Sequence, residues 1–294
     1  MSQSLFPGGL GTKRALNVHA YPRARKRADE ALRLELEVKL ASLQQDYADL
    51  HTAIFEAAQV HRRLCAPRLV RRGDFEIASE IFAVRHLPDD FFTVEATDDG
   101  VMLALGDICG KGLAAGIWTT HLVGLLAAHT ADTSAPEAIA ARVNRDLCRM
   151  EPLAPLASMF LAKLDPINGI VRYCSAGHPP AFLLRRNGEL EKLSAGGLLL
   201  GVMPDASYVT GFFELRQGDI LMFYSDGIIE SRNAEEEEFG YERLEAQLRR
   251  ATTGHAEAGS ADKMLFSVLG DVQDFAATRS LMDDMSLVIV RRAE

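Results

Sequence analysis

The chain has 294 residues, 48% of them hydrophobic, and a formal charge of −9 from 41 carboxylates against 32 Lys and Arg. That is ample apolar material for a buried core. The acidic balance argues against a nucleic-acid binder, whose affinity rests on cations that neutralise phosphates, and suits a protein that gathers carboxylates around cations.

Cys65, Cys109, Cys148 and Cys174 are scattered, with no C-x-x-C pair and no His cluster at zinc-ligand spacing. They are expected as reduced thiols, most of them small buried hydrophobes, with Cys109 set apart because it lies inside a glycine-rich motif. No apolar run at the start of the chain has the form of a signal peptide, and no segment reaches transmembrane length. A cytoplasmic protein without membrane attachment is the expectation.

Residues 1–24 hold Pro7, Gly8, Gly9, Gly11 and Pro22 with little apolar periodicity, the texture of a flexible tail. Residues 25–66 are expected as a coiled-coil or linker helix, because Leu36, Leu40, Leu43, Tyr47, Leu50, Ile54 and Ala57 alternate steps of four and three. So strict a seam favours a partner helix, and a parallel homodimer is expected ahead of a helix lying on its own domain. Pro67 ends the helix.

From Gly73 onward the texture turns β-like. Strands are expected at 74–82, 91–95 and 101–105, followed by helices at 113–129 and 136–150, the second opened by Pro136. Strand-like runs follow at 159–164, 171–175, 181–184, 212–215 and 220–224, with Asn187-Gly188 as a hairpin turn. Helices at 241–250 and 261–275 precede a last strand at 285–290. Short successive strands with paired helices predict an α+β domain over 73–292, an α/β sandwich of antiparallel sheets.

Four acidic residues end or flank these strands: Asp90, Asp107 in G-D-I-C-G-K-G, Asp226 in D-G-I-I-E, and Asp283 before the last strand. A carboxylate at a strand end is held by a rigid sheet while its head group faces a cleft. Several such groups converging would repel one another unless cations stood between them. Oxygen ligands without His or Cys select Mg²⁺ or Mn²⁺ over zinc. Singly, each reads as a turn or surface charge; together, in this order, they read as a metal site.

The run D-D-F-F at Asp89–Phe92 and L-G-D-I-C-G-K-G at Leu105–Gly112 resembles the metal-dependent PPM-type protein phosphatases. The resemblance is to the bacterial branch typified by stage II sporulation protein E and the phosphatases of sigma-factor partner switching. It continues through A-G-H-P-P at Ala176–Pro180, L-L-L-G-V at Leu198–Val202, Q-G-D-I-L-M-F-Y-S-D-G-I-I-E at Gln217–Glu230, F-G at Phe239–Gly240 and D-D-M-S-L-V-I-V at Asp283–Val290. It implies an α-β-β-α sandwich with two metal ions, Mn²⁺ or Mg²⁺, that activate a water to hydrolyse phosphoserine or phosphothreonine. It further implies that Asp90 bridges both metals, that Asp107 and the backbone carbonyl of Ile108 coordinate, and that Asp226 and Asp283 bind the other metal. The implied substrate is a phosphorylated signalling protein, an anti-sigma-factor antagonist, with a regulatory partner docking on the N-terminal helix.

The chain departs from the family at Pro88-Asp89-Asp90, where G-G-D is usual, at Ser175 in place of Asn, and at Cys109 in place of a small residue. Asp89 and Asp284 stand as alternatives or outer-shell groups. His178 reads as a residue shaping a turn beneath the site rather than a general acid, and Cys109 as inert packing. Lys111 reads as a solvent-facing residue near the metals, since its spacing is not that of a nucleotide-binding loop. Glu235–Glu238 reads as a solvated loop. Two other readings compete: a phosphatase-fold scaffold that has lost turnover, and a basic-zipper DNA binder built on Arg23, Arg25, Lys26 and Arg27. The second has little behind it, because the basic cluster is short and the rest of the chain acidic.

Overall fold

The computed structural model describes residues 20–64, 67–85, 87–133, 135–150, 152–253, 260–276 and 281–293. They fall into two compact units that meet at residues 53 and 54, inside the first helix. The first unit is described by α1 (Ala20–Leu64) alone up to Ala53. This helix begins inside the segment expected as a tail; Pro22 stands in its first turn, where no intrahelical donor is required. Leu36, Leu40, Leu43, Tyr47 and Leu50 are all exposed. The tail residues 1–19, together with Cys65 and Ala66, lie outside the described residues.

The second unit opens with β1 (Leu69–Arg72), β2 (Phe75–Phe82), β3 (Asp90–Thr97) and β4 (Gly100–Ile108). The helices α2 (Leu113–Asp132) and α3 (Pro136–Arg149) follow. Next come β5 (Ala157–Leu164), β6 (Ile170–Ala176), β7 (Ala181–Leu184), β8 (Leu190–Leu193), β9 (Gly196–Gly197), β10 (Gly211–Glu214) and β11 (Ile220–Tyr224). The short α4 (Asp226–Ile229), then α5 (Gly240–Thr253), α6 (Ala261–Ala276) and β12 (Met285–Arg292) complete it.

Among the described residues the strands form two six-stranded sheets. One runs β1-β2-β12-β11-β7-β8; the other runs β10-β6-β5-β4-β3, with β9 added parallel to β6. Period-2 alternation sorts side chains into three layers. Phe92, Leu103, Leu105 and Phe160 of one sheet meet Ile77, Leu221, Phe223 and Val288 of the other between the sheets. The opposite faces are covered by α5 and α6 on one side and by α2 and α3 on the other. This is the α-β-β-α sandwich that the strand-and-helix order and the family resemblance imply. Among the described residues no helix is long and apolar enough to cross a membrane.

Four elements were not anticipated: β1, β8, β9 and α4. Strand β1 buries only Val70, so it carries no apolar alternation and is an edge strand by its pairing alone. The Asn187-Gly188 turn joins β7 to β8, whose middle residues Glu191 and Lys192 are exposed. The sheet is also longer at the site than the apolar runs suggest. Asp107 lies within β4 rather than after it, and Asp90 is the first residue of β3.

Phe223 is fully buried, and its ring stands 5.1 Å from that of Phe160 and 6.2 Å from that of Phe92. Phe223→Ala should cost about 3–5 kcal/mol of unfolding free energy in urea, since the rigid sheets cannot close the hole. Phe212→Ala, at a position 79% exposed, should change it by less than about 0.5 kcal/mol.

Candidate metal centre

Antiparallel pairing places Asp90 of β3 directly opposite Asp107 of β4. Two residues on in β3 and two residues back in β4, Phe92 and Leu105 belong to the layer between the sheets, so both carboxylates point into the end of that layer. Gly106 makes this register possible for a reason other than turning. A Cβ there would stand 2.5 Å from two ring carbons of Phe91 and 2.8 Å from the carbonyl of Ser158. The glycine gives room to a ring packed under the pair.

The facing sheet brings the other acids. Asp226 opens α4 directly after β11, and Asp283-Asp284 lead into β12, which pairs with β11. Gly227 is what lets the two segments touch: a Cβ on it would lie 2.0 Å from the carbonyl oxygen of Asp284. Two serines stitch the acids together. Ser286 Oγ donates to Asp90 Oδ2 at 2.5 Å, the Ser286 amide donates to Ser225 Oγ at 3.0 Å, and Ser225 Oγ donates to the Asp284 carbonyl at 3.3 Å.

Neighbouring aspartates have divided the work. The Asp284 side chain is buried and accepts the amides of Val84 at 2.7 Å and Asp89 at 2.9 Å, so it tethers the loop that leads into β3. Asp89 is also buried, and its carbonyl accepts the Thr119 hydroxyl at 3.1 Å and the Ile108 amide at 3.2 Å. Loss of the glycine pair before Asp90 is thus compensated by bonds that hold the backbone of Asp89. Asp283 turns outward and meets Lys111 Nζ at 2.7 Å. Among the described residues, no three carboxylate, thiol or imidazole groups already converge on one point; Asp90 is drawn to Ser286 and Asp283 to Lys111.

The electrostatics nonetheless make these acids one cluster. Burial, then the charges of Asp226, Asp283 and Asp284, push Asp107 up to about 7. Burial and the charge of Asp107 raise Asp90, against hydrogen bonds from Ser286 and Ser225. Asp226 is raised by burial and by Asp283. Asp89 is pushed up to about 8 by burial, then by its hydrogen bond to the Asp284 carboxylate and that group's charge. An all-oxygen set under this mutual repulsion fits hard divalent cations. The ammonium of Lys111, itself raised first by its bond to Asp283, already answers the same field.

Lys111 is therefore ion-paired rather than merely solvent-facing. Cys109 is exposed, which corrects the reading of inert packing. Partial desolvation and the charges of Asp107 and Asp226 raise its pKa, so it stays a thiol. Of the other cysteines, Cys174 is buried and Cys148 half-buried. His178 is buried, with Nδ1 2.7 Å from Ser158 Oγ, and Ser158 is the β5 partner of Asp107. Burial drives His178 down to about 3, so it is neutral and structural. Ser175 closes the same turn by accepting the His178 amide at 3.2 Å. Glu235–Glu238 are exposed, with Glu237 and Glu238 paired to Arg243 and Arg232. Ser225, Ser286 and the tether made by Asp284 were missed. Their only sequence signal was position, each serine standing next to or near a motif aspartate.

A family model described as Stage II sporulation protein E (SpoIIE) matches residues 97–293, more than half of the chain. The chain belongs to this family. Among its relatives, Protein IcfG of Synechocystis is 26% identical over 174 residues, half of this chain and 27% of that protein. Phosphoserine phosphatase RsbU of Bacillus subtilis is 24% identical over 255 residues, 86% of this chain and 73% of that protein. The SiaA-PP2C domain of Pseudomonas aeruginosa superposes with a TM-score of 0.70 at 15% identity, covering 83% of this chain and 97% of that one. The chain thus spans about a quarter of one curated relative and about three-quarters of the other. The SpoIIE-family match begins at Thr97, beyond Asp90, and the register of β3 on β4 sets that first aspartate opposite Asp107.

In the fold Asp107 titrates near 7, against an ordinary value of 3.8. A raised folded pKa means that the folded state holds the proton more tightly. The stability this contributes is complete below about pH 4 and is lost as pH rises through about 7. With chelator present, Asp107→Asn should raise the unfolding free energy at pH 8 by about 1–3 kcal/mol, after allowance for solvent screening, and change it little at pH 4. Urea titrations followed by circular dichroism at the two pH values check this.

Proposed function

We propose that the chain is a divalent-metal-dependent phosphatase acting on phosphoserine or phosphothreonine in a signalling protein, an anti-sigma-factor antagonist by family resemblance. The observation that carries the reading is the Asp90–Asp107 pair of one sheet, the first buried and the second half-buried, sharing its field with Asp226 and Asp283 of the other. Asp90, Asp107, the Ile108 carbonyl, Asp226 and Asp283 would hold two Mn²⁺ or Mg²⁺ ions, with Asp90 shared between them. Such ions, when bound, lower the pKa of a water and shield phosphoryl oxygens.

The chain's own groups do the holding and the excluding. Ser286 keeps Asp90 oriented, and Asp284 fixes the backbone amide of Asp89 behind it. Lys111 steadies Asp283 from the solvent side. Neutral His178 exchanges no proton near pH 7, and Cys109 is no thiolate, so neither supplies a nucleophile or acid. The exposed seam of α1 supports pairing with a second copy in a parallel coiled coil, and a regulatory partner could dock on the same helix. A scaffold without turnover rests only on the altered Pro88-Asp89 segment, and Asp90 keeps its register opposite Asp107 in spite of it.

Purified protein should release phosphate from an aryl phosphate only with Mn²⁺ or Mg²⁺ added, and Asp226→Asn should lower the rate by roughly 10³-fold. Metal-independent release, or a rate that Asp226→Asn leaves unchanged, would overturn the assignment. The same variant used as a trap should retain a phosphoserine or phosphothreonine protein from a lysate, identified by its phosphosite; capture without turnover by the parent chain would favour the scaffold.

A further inference from the structure

A cavity of about 820 Å³ opens beside the last turns of α1, and every residue that lines it belongs to the second unit. Its walls are apolar where β2 and β3 contribute Ile81, Phe82 and Phe92, while Arg62, Arg63, Arg68 and Arg85 supply cations. Arg68 is committed to Asp262 at 3.0 Å and lies 3.9 Å from Glu80, the one carboxylate among the lining residues. Arg62, Arg63 and Arg85 have no carboxylate within 4.0 Å among the described residues. Three guanidinium groups without a carboxylate partner among the residues that line a partly apolar chamber make it complementary to an anion with an apolar body.

His61 adds a second, independent sign. It lines the cavity, is only 3% exposed, and makes no hydrogen bond among the described residues. Its ring nitrogens are not sealed from solvent, so the polar edge opens onto the cavity. It also lies within the field of Asp284, whose two oxygens hold the amides of Val84 and Asp89.

We infer that this cavity is a binding site for a small organic anion, a carboxylate, sulfonate or phosphate on an aromatic or alkyl body. Its head group meets Arg62, Arg63 and Arg85, and its body lies on Ile81, Phe82 and Phe92. The volume is that of small-molecule sites, about 300–1,000 Å³, which favours a small molecule over a protein surface. The cavity takes Arg85 and Pro88 from the loop that leads into β3, so the site is placed for an effector rather than for a substrate.

The probe is 8-anilinonaphthalene-1-sulfonate, titrated by fluorescence into the full chain without metal, so the outcome does not depend on phosphatase activity. One saturable site per chain is expected. Arg62→Glu with Arg63→Glu, both exposed positions, should weaken it by about tenfold or more, and added salt should weaken it as for any exposed ion pair. Ala58→Trp, which fills the chamber, should weaken it likewise, with circular dichroism confirming the fold. Leu36→Ser with Leu40→Ser, on the exposed seam of α1, should leave it unchanged. Equal binding by the parent and the double Arg variant, or loss that follows the Leu36 and Leu40 changes instead, would overturn the inference.

Discussion

Asp90 and Asp107 face each other across an antiparallel pair at the end of a sheet, both directed into the layer where the two sheets meet. Like charges opposite one another in a sheet are destabilising, and burial sharpens the repulsion. The surrounding structure is arranged to tolerate it. Ser286 donates a hydrogen bond to Asp90, and Gly106 lets Phe91 pack beneath the pair without disturbing the register. Remove the rigid ladders on either side and the two carboxylates would separate, which is why the site belongs to the sheets and not to its loops.

The same constraint explains why adjacent aspartates carry different loads. Asp283 and Asp284 are successive residues leading into a strand, so their side chains take opposite directions. Asp284 turns inward and ties the Val84–Asp89 loop, while Asp283 turns outward to Lys111. Asp89 and Asp90 divide in the same manner: the backbone of the first is bonded on both sides, and the second presents its carboxylate to the cluster. Doubling the aspartate at both places gives each acidic position its own brace, which offsets the missing glycines before Asp90.

The brace reaches beyond the cluster. Asp284 feels His61 at the end of α1, and His61 forms part of the wall of the basic cavity. Thr119 of α2 binds the Asp89 carbonyl from another direction. Asp284 and Thr119, remote from each other in sequence, thus hold one short loop, and its Arg85 and Pro88 line the same cavity as His61.

Much of the fold could be read from residue order. The period-2 runs and the long apolar helix over 113–129 located most strands and helices, because a core face dictates its own spacing. The motifs around Asp107, Asp226 and Asp283 marked the acidic cluster by their joint order, since each taken singly reads as a turn or a surface charge. Strands β1 and β8 were not legible, being exposed edge strands whose pairing comes from a neighbour rather than from a pattern of their own. Nor was the true role of Gly106, which depends on a ring from the adjacent strand. The sequence by itself determined which residue types could gather a cation and on which elements they ride. Only the tertiary structure decided that Asp90 stands opposite Asp107, that Asp284 is a tether and Asp283 is not, and that His61 lines a cavity with Arg85 and Pro88. Those facts follow from register and from contacts across roughly two hundred residues of chain, as between Ser286 and Asp90, and no local pattern encodes a separation of that length.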